Sequence, residues 1–309
     1  MNAKTQTRKY LFGLIFSILM FSTFEVASKS MHGCITPFQL TFYRFLIGGI
    51  VLIPFSMSEI KKRNIKFSFK DCIVNIIMGF LLVFASMAVT QIGLQISSAS
   101  LTAIIFSSNP LFISLFSAVI LKERLTKGKV IGLIVGIIGL FITCAHIFHM
   151  SFDVNSSFIL GVILIFTGMI IFSLYTVLNK PRVKKYGSIT CTTLSSIYGG
   201  LTIIPLLIVN GITQHINPFV FNYRAIWPQF LFVAIFVTGI AYYFYFDALS
   251  NLDTTVSSMS FFIKPPLASF MCFLFLKEEI KINSIIGIIV IFIGVVISIK
   301  FGIPNDQKK

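Results

Sequence analysis

Apolar residues run through this chain in long uninterrupted blocks, and polar residues collect in the short gaps between them. A helix needs about 20 mostly apolar residues to cross a bilayer. Ten blocks meet that length, at about 10–31, 37–57, 72–94, 97–121, 128–147, 158–179, 189–210, 228–250, 254–276 and 283–301. They are too long for barrel strands, and only helices or closed barrels satisfy the backbone in lipid. The pattern therefore predicts an all-α integral membrane protein, a bundle of ten transmembrane helices joined by short loops.

Composition agrees. The chain has 309 residues, of which 56% are hydrophobic and 11% charged, with a mean hydropathy of +0.93. Soluble domains carry about 25% charged residues. The net charge of +15 would suggest a nucleic-acid partner in a soluble protein, but the basic residues sit in clusters between apolar blocks, so the bilayer is the expected partner and nucleic acid is not. The basic start "MNAKTQTRKY" and the apolar run behind it resemble a signal peptide, but the run carries Glu25 and Lys29 and shows no clear cleavage site, so a retained first span is expected. No C-x-x-C pair joins the cysteines Cys34, Cys72, Cys144, Cys191 and Cys272, and no metal or cofactor is expected.

With the N-terminus on the cytoplasmic side, nineteen of the 25 Lys and Arg residues fall inside. Four (Lys29, Arg224, Lys277, Lys281) fall outside, and Arg44 and Lys264 lie within spans. That asymmetry favours N-in and C-in with ten crossings.

The chain also repeats. Shifted by 155 residues, "NPLFISLFSAVILKERLTKGKVIGLIVGIIGLFIT" lies over "KPPLASFMCFLFLKEEIKINSIIGIIVIFIGVVIS", and Pro110 meets Pro265, Ser114 meets Ser269, and Gly139 meets Gly294. At a slightly different offset "FSTFEVASK" lies over "FSLYTVLNK". Two halves of five helices, 1–148 and 149–309, are implied, and an odd number inverts the second half in the membrane. Charge follows: "KERLTKGK" is basic and inner, while "KEEIKIN" has lost the excess and falls outside. Inverted repeats are a mark of secondary transporters with a site near the midplane.

At these residues the chain resembles the drug/metabolite transporter superfamily, and within it the EamA-type ten-helix transporters. The twin "P…LKE…G…G" halves, "TPFQLTFYRFLIGGI" with Arg44, and "SSASLTAIIFSSNP" carry the resemblance, which covers essentially the whole chain. It implies export of small metabolites such as amino acids, nucleotide sugars or quaternary amines, and leaves the substrate open.

The polar residues inside the spans are the candidate site. Lys264, Ser257 and Ser260 share one helical stripe in "SSMSFFIKPPLASF", and the repeat places Asn109 opposite Lys264. A charge at that depth faces the bundle interior or water. Lys264 is expected to bind an anionic substrate group, with Glu25 as its counter-charge when no substrate is bound; the other reading is a lysine bonded to carbonyls freed by proline, or simply paired with an internal acid. Glu25 is also the best-placed carboxylate for proton coupling, although Lys29 at i+4 can simply neutralise it. Tyr175 and Asn179, Tyr242 and Tyr245, and Gln91 are further candidate substrate contacts, with packing as the alternative. Pro110, Pro265 and Pro266 remove backbone donors, either for gating or as static kinks. Arg44 is placed with them as structural, near a helix end and bonded to carbonyls or lipid phosphates. Lys29 is expected at the outer surface, Glu123 and Glu278 as loop caps, and Asp247 in water.

No nucleotide-binding loop is present, and the four histidines lie at edges and loops, so neither direct ATP coupling nor intramembrane catalysis has support. The function read from the sequence is secondary transport of a small polar metabolite, foremost the export of an amino acid or related metabolite by alternating access around a central cavity, by a monomer or homodimer in the plasma membrane. A nucleotide-sugar or quaternary-amine transporter of the same superfamily, or a passive channel, is the alternative.

Overall fold

The computed structural model describes residues 3–122, 126–149, 156–251, 264–280 and 282–301. It is 87% helix, and no strand occurs among the described residues. The helices are α1 Ala3–Ser30, α2 Pro37–Arg63, α3 Phe69–Ile96, α4 Ala99–Ile120, α5 Lys127–His149, α6 Ser156–Tyr186, α7 Ser188–Thr213, α8 Tyr223–Leu249 (continuing to Asn251), α9 Lys264–Leu276 and α10 Ile282–Lys300. Seven of them, α1 to α4 and α6 to α8, are long and apolar enough to cross a membrane, and α5, α9 and α10 contribute shorter apolar stretches.

Local sequence sets the helix ends. Thr36 and Gln39 form a reciprocal capping box at the start of α2: the Gln39 amide donates to Thr36 Oγ1 at 3.2 Å, and the Thr36 amide donates to Gln39 Oε1 at 3.0 Å. Pro37 follows, where a helix has no donor to lose. Asn64 ends α2 in the left-handed conformation, φ 51°. The serine before "NP" breaks α4 at Ser108, and Pro110 sits in the first turn of the segment that resumes there.

The distribution of residue types is that of a protein dissolved in lipid. Large apolar side chains point outward: Phe12 and Val119 are each 71% exposed, and Phe275 is 68% exposed. Small polar ones point inward. Ser17 and Ser22 are fully buried and return their hydroxyls to the carbonyls four residues back, each at 2.7 Å. Such bonds let polar atoms sit between helices without loss, and small residues bring backbones close. A Cβ added at Gly79 would lie 2.5 Å from the Gly199 amide nitrogen, and one at Gly294 would lie 2.7 Å from Gly132 O.

The helices pack in a definite pattern. α5 runs along α10, and α2 along α7. α1 touches α8 and α9, while α6 touches α3 and α4. α2 meets α8, and α7 meets α3. The middles of α3 and α8 widen into π-helical segments of equal length, Phe80–Ala88 and Phe232–Ile240. No proline lies in either, and nothing in the apolar pattern marks them.

The corner between α3 and α4 is held by two opposite charges. Lys29 Nζ donates to the carbonyls of Leu94, Gln95 and Ser97 at 3.0, 3.0 and 2.6 Å. Glu278 accepts from the amides of Ala99 and Ser100, both at 3.0 Å, and from the Ser100 hydroxyl at 2.6 Å. A cation on the carbonyl end of one helix and an anion on the amide end of the next both satisfy orphan backbone groups and oppose the helix dipoles. Lys29 is therefore neither a surface anchor nor a partner of Glu25. At the other end of the bundle Glu59 accepts from the amide and hydroxyl of Thr190 at 2.9 and 2.8 Å, and Asp71 accepts from Tyr186 at 2.6 Å.

Candidate functional site

Side chains from α1, α2, α3, α4, α6, α8 and α9 converge on one interior cavity with about 450 Å³ of space between its atoms, part of it open. Three charged residues line it: Glu25, Arg44 and Lys264. Aromatic rings make most of the rest, Phe21, Phe24, Phe106, Phe172 and Tyr242. Met87 and Val237 reach it from the two π segments, and Thr90 from the turn after the first.

Lys264 is the first described residue of α9 and is 4% exposed. Its ammonium donates to Glu25 Oε1 at 2.7 Å, and Glu25 is 1% exposed. The nitrogen also lies 5.4 Å from the centre of the Phe106 ring. The second carboxylate oxygen of Glu25 has no hydrogen-bond partner among the described residues. Desolvating two charges costs more than their contact alone returns unless further groups satisfy them. Here one oxygen is left over, facing a cavity.

Arg44 is placed differently from the sequence reading. It is 2% exposed and lines the cavity. Its guanidinium carbon lies 4.5 Å from the centres of both the Phe24 and the Phe45 rings. It makes no hydrogen bond to a carbonyl and no ion pair among the described residues, and its Nε is buried without a partner. The helix-end role fails because the side chain lies over the rings of Phe24 and Phe45 at the cavity wall instead of on backbone carbonyls.

The other candidates divide. Tyr242 lines the cavity, with its ring edge-on to Phe21, Phe45 and Phe172 and its hydroxyl 3.4 Å from Met87 Sδ. Tyr245 is buried against Phe21 and is not among the cavity residues. Asn179 donates to the Tyr175 hydroxyl at 3.1 Å, one turn apart on α6. Asn179 lines a smaller cavity of about 200 Å³ with Thr176, Lys180 and Phe246. Asn109 accepts from Ser173 at 2.7 Å, and Gln91 donates to Ser28 at 2.6 Å, so both join helices behind the cavity wall. Ser260 and its neighbour Ser257 lie outside the described residues. Pro265 is buried and Pro266 exposed, directly after Lys264, the first described residue of α9. Asp247 accepts from Ser188 at 3.1 Å and is not simply in water.

Sequence reasoning passed over Phe21, Phe24, Phe106 and Phe172. Among 35 phenylalanines in apolar runs, those facing a cavity carry no mark that separates them from those facing lipid.

A lipid-facing exterior, a helical bundle and a charged, aromatic-lined central cavity define a multi-pass membrane transporter, which in a bacterial cell lies in the plasma membrane. The chain belongs to the EamA-like transporter family, whose pattern it matches twice, over residues 8–145 and 159–300. It is 30% identical over 303 residues to an uncharacterized transporter of Clostridium kluyveri, covering 97% of this chain and 96% of that one. It is 25% identical over 290 residues to the uncharacterized transporter YyaM of Bacillus subtilis, covering 93% and 92%. An uncharacterized transporter of Archaeoglobus fulgidus is 24% identical over 295 residues, covering 96% and 97%. One solved crystal structure shares the fold with a TM-score of 0.68 at 20% identity, over 94% of this chain and 96% of that one.

Proposed function

We propose that this protein is a secondary carrier that moves a small polar metabolite, most simply an amino acid on its way out of the cell, by alternating access around the cavity of Glu25, Arg44 and Lys264. Its halves, 1–148 and 149–309, are inverted repeats of five crossings each, with both termini in the cytoplasm. Its chemistry is binding and release, with no bond made or broken.

The observation that carries the reading is the buried Glu25–Lys264 pair at the cavity wall, joined across the two halves at 2.7 Å. An ionised pair is costly inside a bundle and is placed where an ion or substrate passes. The helix packing supports the two halves. Exchanging α1–α5 for α6–α10 turns α1·α8 into α6·α3, α1·α9 into α6·α4 and α2·α8 into α7·α3, and returns α5·α10 and α2·α7 to themselves. The π segments obey the same exchange, the second starting 152 positions after the first. The double match of the family pattern supports it as well. Two similar half-bundles can rock about a fixed centre, as inverted repeats do in other carriers.

Counterflow in vesicles tests the carrier. Purified protein reconstituted with unlabelled amino acid inside should speed the entry of labelled amino acid. Equal entry with and without internal substrate indicates a channel, and no entry of any small metabolite removes the reading.

A further inference from the structure

Two of the three charges in the cavity satisfy each other, and the third does not. Lys264 is matched by Glu25 at 2.7 Å. Arg44, as deeply buried, has aromatic rings beside it and, among the described residues, no acceptor for its donors. A guanidinium stays charged under all ordinary conditions and carries five N–H donors in a planar fork. Rings attract the cation but take none of those donors in its plane. Among the described residues the cavity thus holds Arg44 and Lys264 against one Glu25, an excess of one positive charge.

We infer that Arg44, not Lys264, receives the substrate, and that the substrate is an organic carboxylate with an apolar, preferably aromatic, body. This rests on the carrier reading above and names the class of its cargo. A carboxylate fits the guanidinium fork with two parallel bonds, which a point-charge ammonium cannot reproduce. One carboxylate also cancels the excess charge. Phe21, Phe106, Phe172 and Tyr242 on the remaining wall suit a ring, since aromatic pairs gain beyond the area they bury. The unpartnered Glu25 Oε2 accepts a donor from the same ligand, such as an ammonium or hydroxyl. Amines that lack a carboxylate meet Arg44 as a like charge, and a quaternary ammonium therefore does not belong here.

Thermal unfolding of the purified protein tests this with four probes that share a phenyl group: L-phenylalanine, 3-phenylpropionate, 3-phenylpropionamide and phenethylamine. Ligands that bind the folded state raise the melting temperature by mass action. The two carboxylates should raise it in a saturable way at millimolar concentration, and the amide and the amine should not. Arg44→Gln should erase the carboxylate shift. Arg44→Lys, which keeps the charge and loses the fork, should weaken apparent affinity about tenfold or more, and it gives the answer if the glutamine variant does not fold. A carboxylate shift of unchanged affinity in either variant overturns the inference. So does an amide or amine shift as large as the acid's, or no shift from either carboxylate. Flux in vesicles separates this from the carrier reading. A carboxylate shift without counterflow keeps the site and removes the carrier, whereas counterflow of an uncharged or cationic solute alone keeps the carrier and removes the site.

Discussion

Glu25 and Lys264 meet at 2.7 Å although 239 positions separate them in the chain. The contact ties α1 to α9, and thus the start of the molecule to its far end. Removing one partner leaves the other buried without compensation, which costs about 3–5 kcal/mol in protein interiors. Glu25→Gln and Lys264→Met should each lower thermal stability. The double variant should lose clearly less than the sum, because it removes both charges. Additive losses in a calorimetric double-mutant cycle would show that the two do not interact.

Transport should respond to Glu25 in a second way. If the carboxylate passes a proton, Glu25→Gln should abolish accumulation driven by a pH gradient and leave exchange between two loaded sides intact. The measurement compares both fluxes in the same vesicles. Gradient-driven accumulation that persists at the wild-type rate assigns coupling elsewhere.

Orientation is open to chemical labelling. In a cysteine-free background, Lys61→Cys should be protected from a membrane-impermeant thiol reagent in intact cells, and Glu279→Cys should react. Reaction of both from outside is incompatible with inverted halves.

Adjacent glycines on α7 should behave oppositely. A Cβ at Gly199 would lie 2.3 Å from Val83 Cγ2 and 2.4 Å from Gly79 O, whereas at Gly200 the nearest atom is 3.5 Å away. Gly199→Ala should cost about 1–3 kcal/mol, the usual penalty for overpacking. Gly200→Ala should be neutral or stabilising, since alanine favours a helix by about 1 kcal/mol over glycine. Melting temperatures of the two variants decide it, and a Gly200→Ala loss equal to that of Gly199→Ala would contradict the packing.

Lipid as solvent explains which features were legible. Charges in an apolar run stand out, so Glu25 and Lys264 are visible as buried groups, and eight of the ten blocks end within three residues of the helices they predict, while the second and sixth stop six and seven residues short; the part of the ninth before Lys264 lies outside the described residues. Polarity alone did not say what a buried group touches. Gln91 and Asn109 were read toward substrate and instead bond Ser28 and Ser173 between helices. Arg44 was read toward carbonyls because its distance along α2 says nothing of the two rings that α1 and α2 bring to it. Lys29 was read toward water because the three carbonyls that hold it lie more than 60 positions away. The aromatic wall stayed hidden because a phenylalanine against lipid and one against a cavity have the same neighbours in sequence.

The contact between the first and the ninth helix also sets a timetable. Ribosomes add about 5–20 residues per second. Glu25 is therefore made roughly 10–50 seconds before Lys264 exists, by the same elongation rate over the 239 intervening residues. Throughout that interval the nascent chain holds a carboxylate in its first membrane segment with no Lys264 to meet it. A chain that stops short of the ninth helix keeps that acid in its first membrane segment without the lysine that meets it in the finished protein.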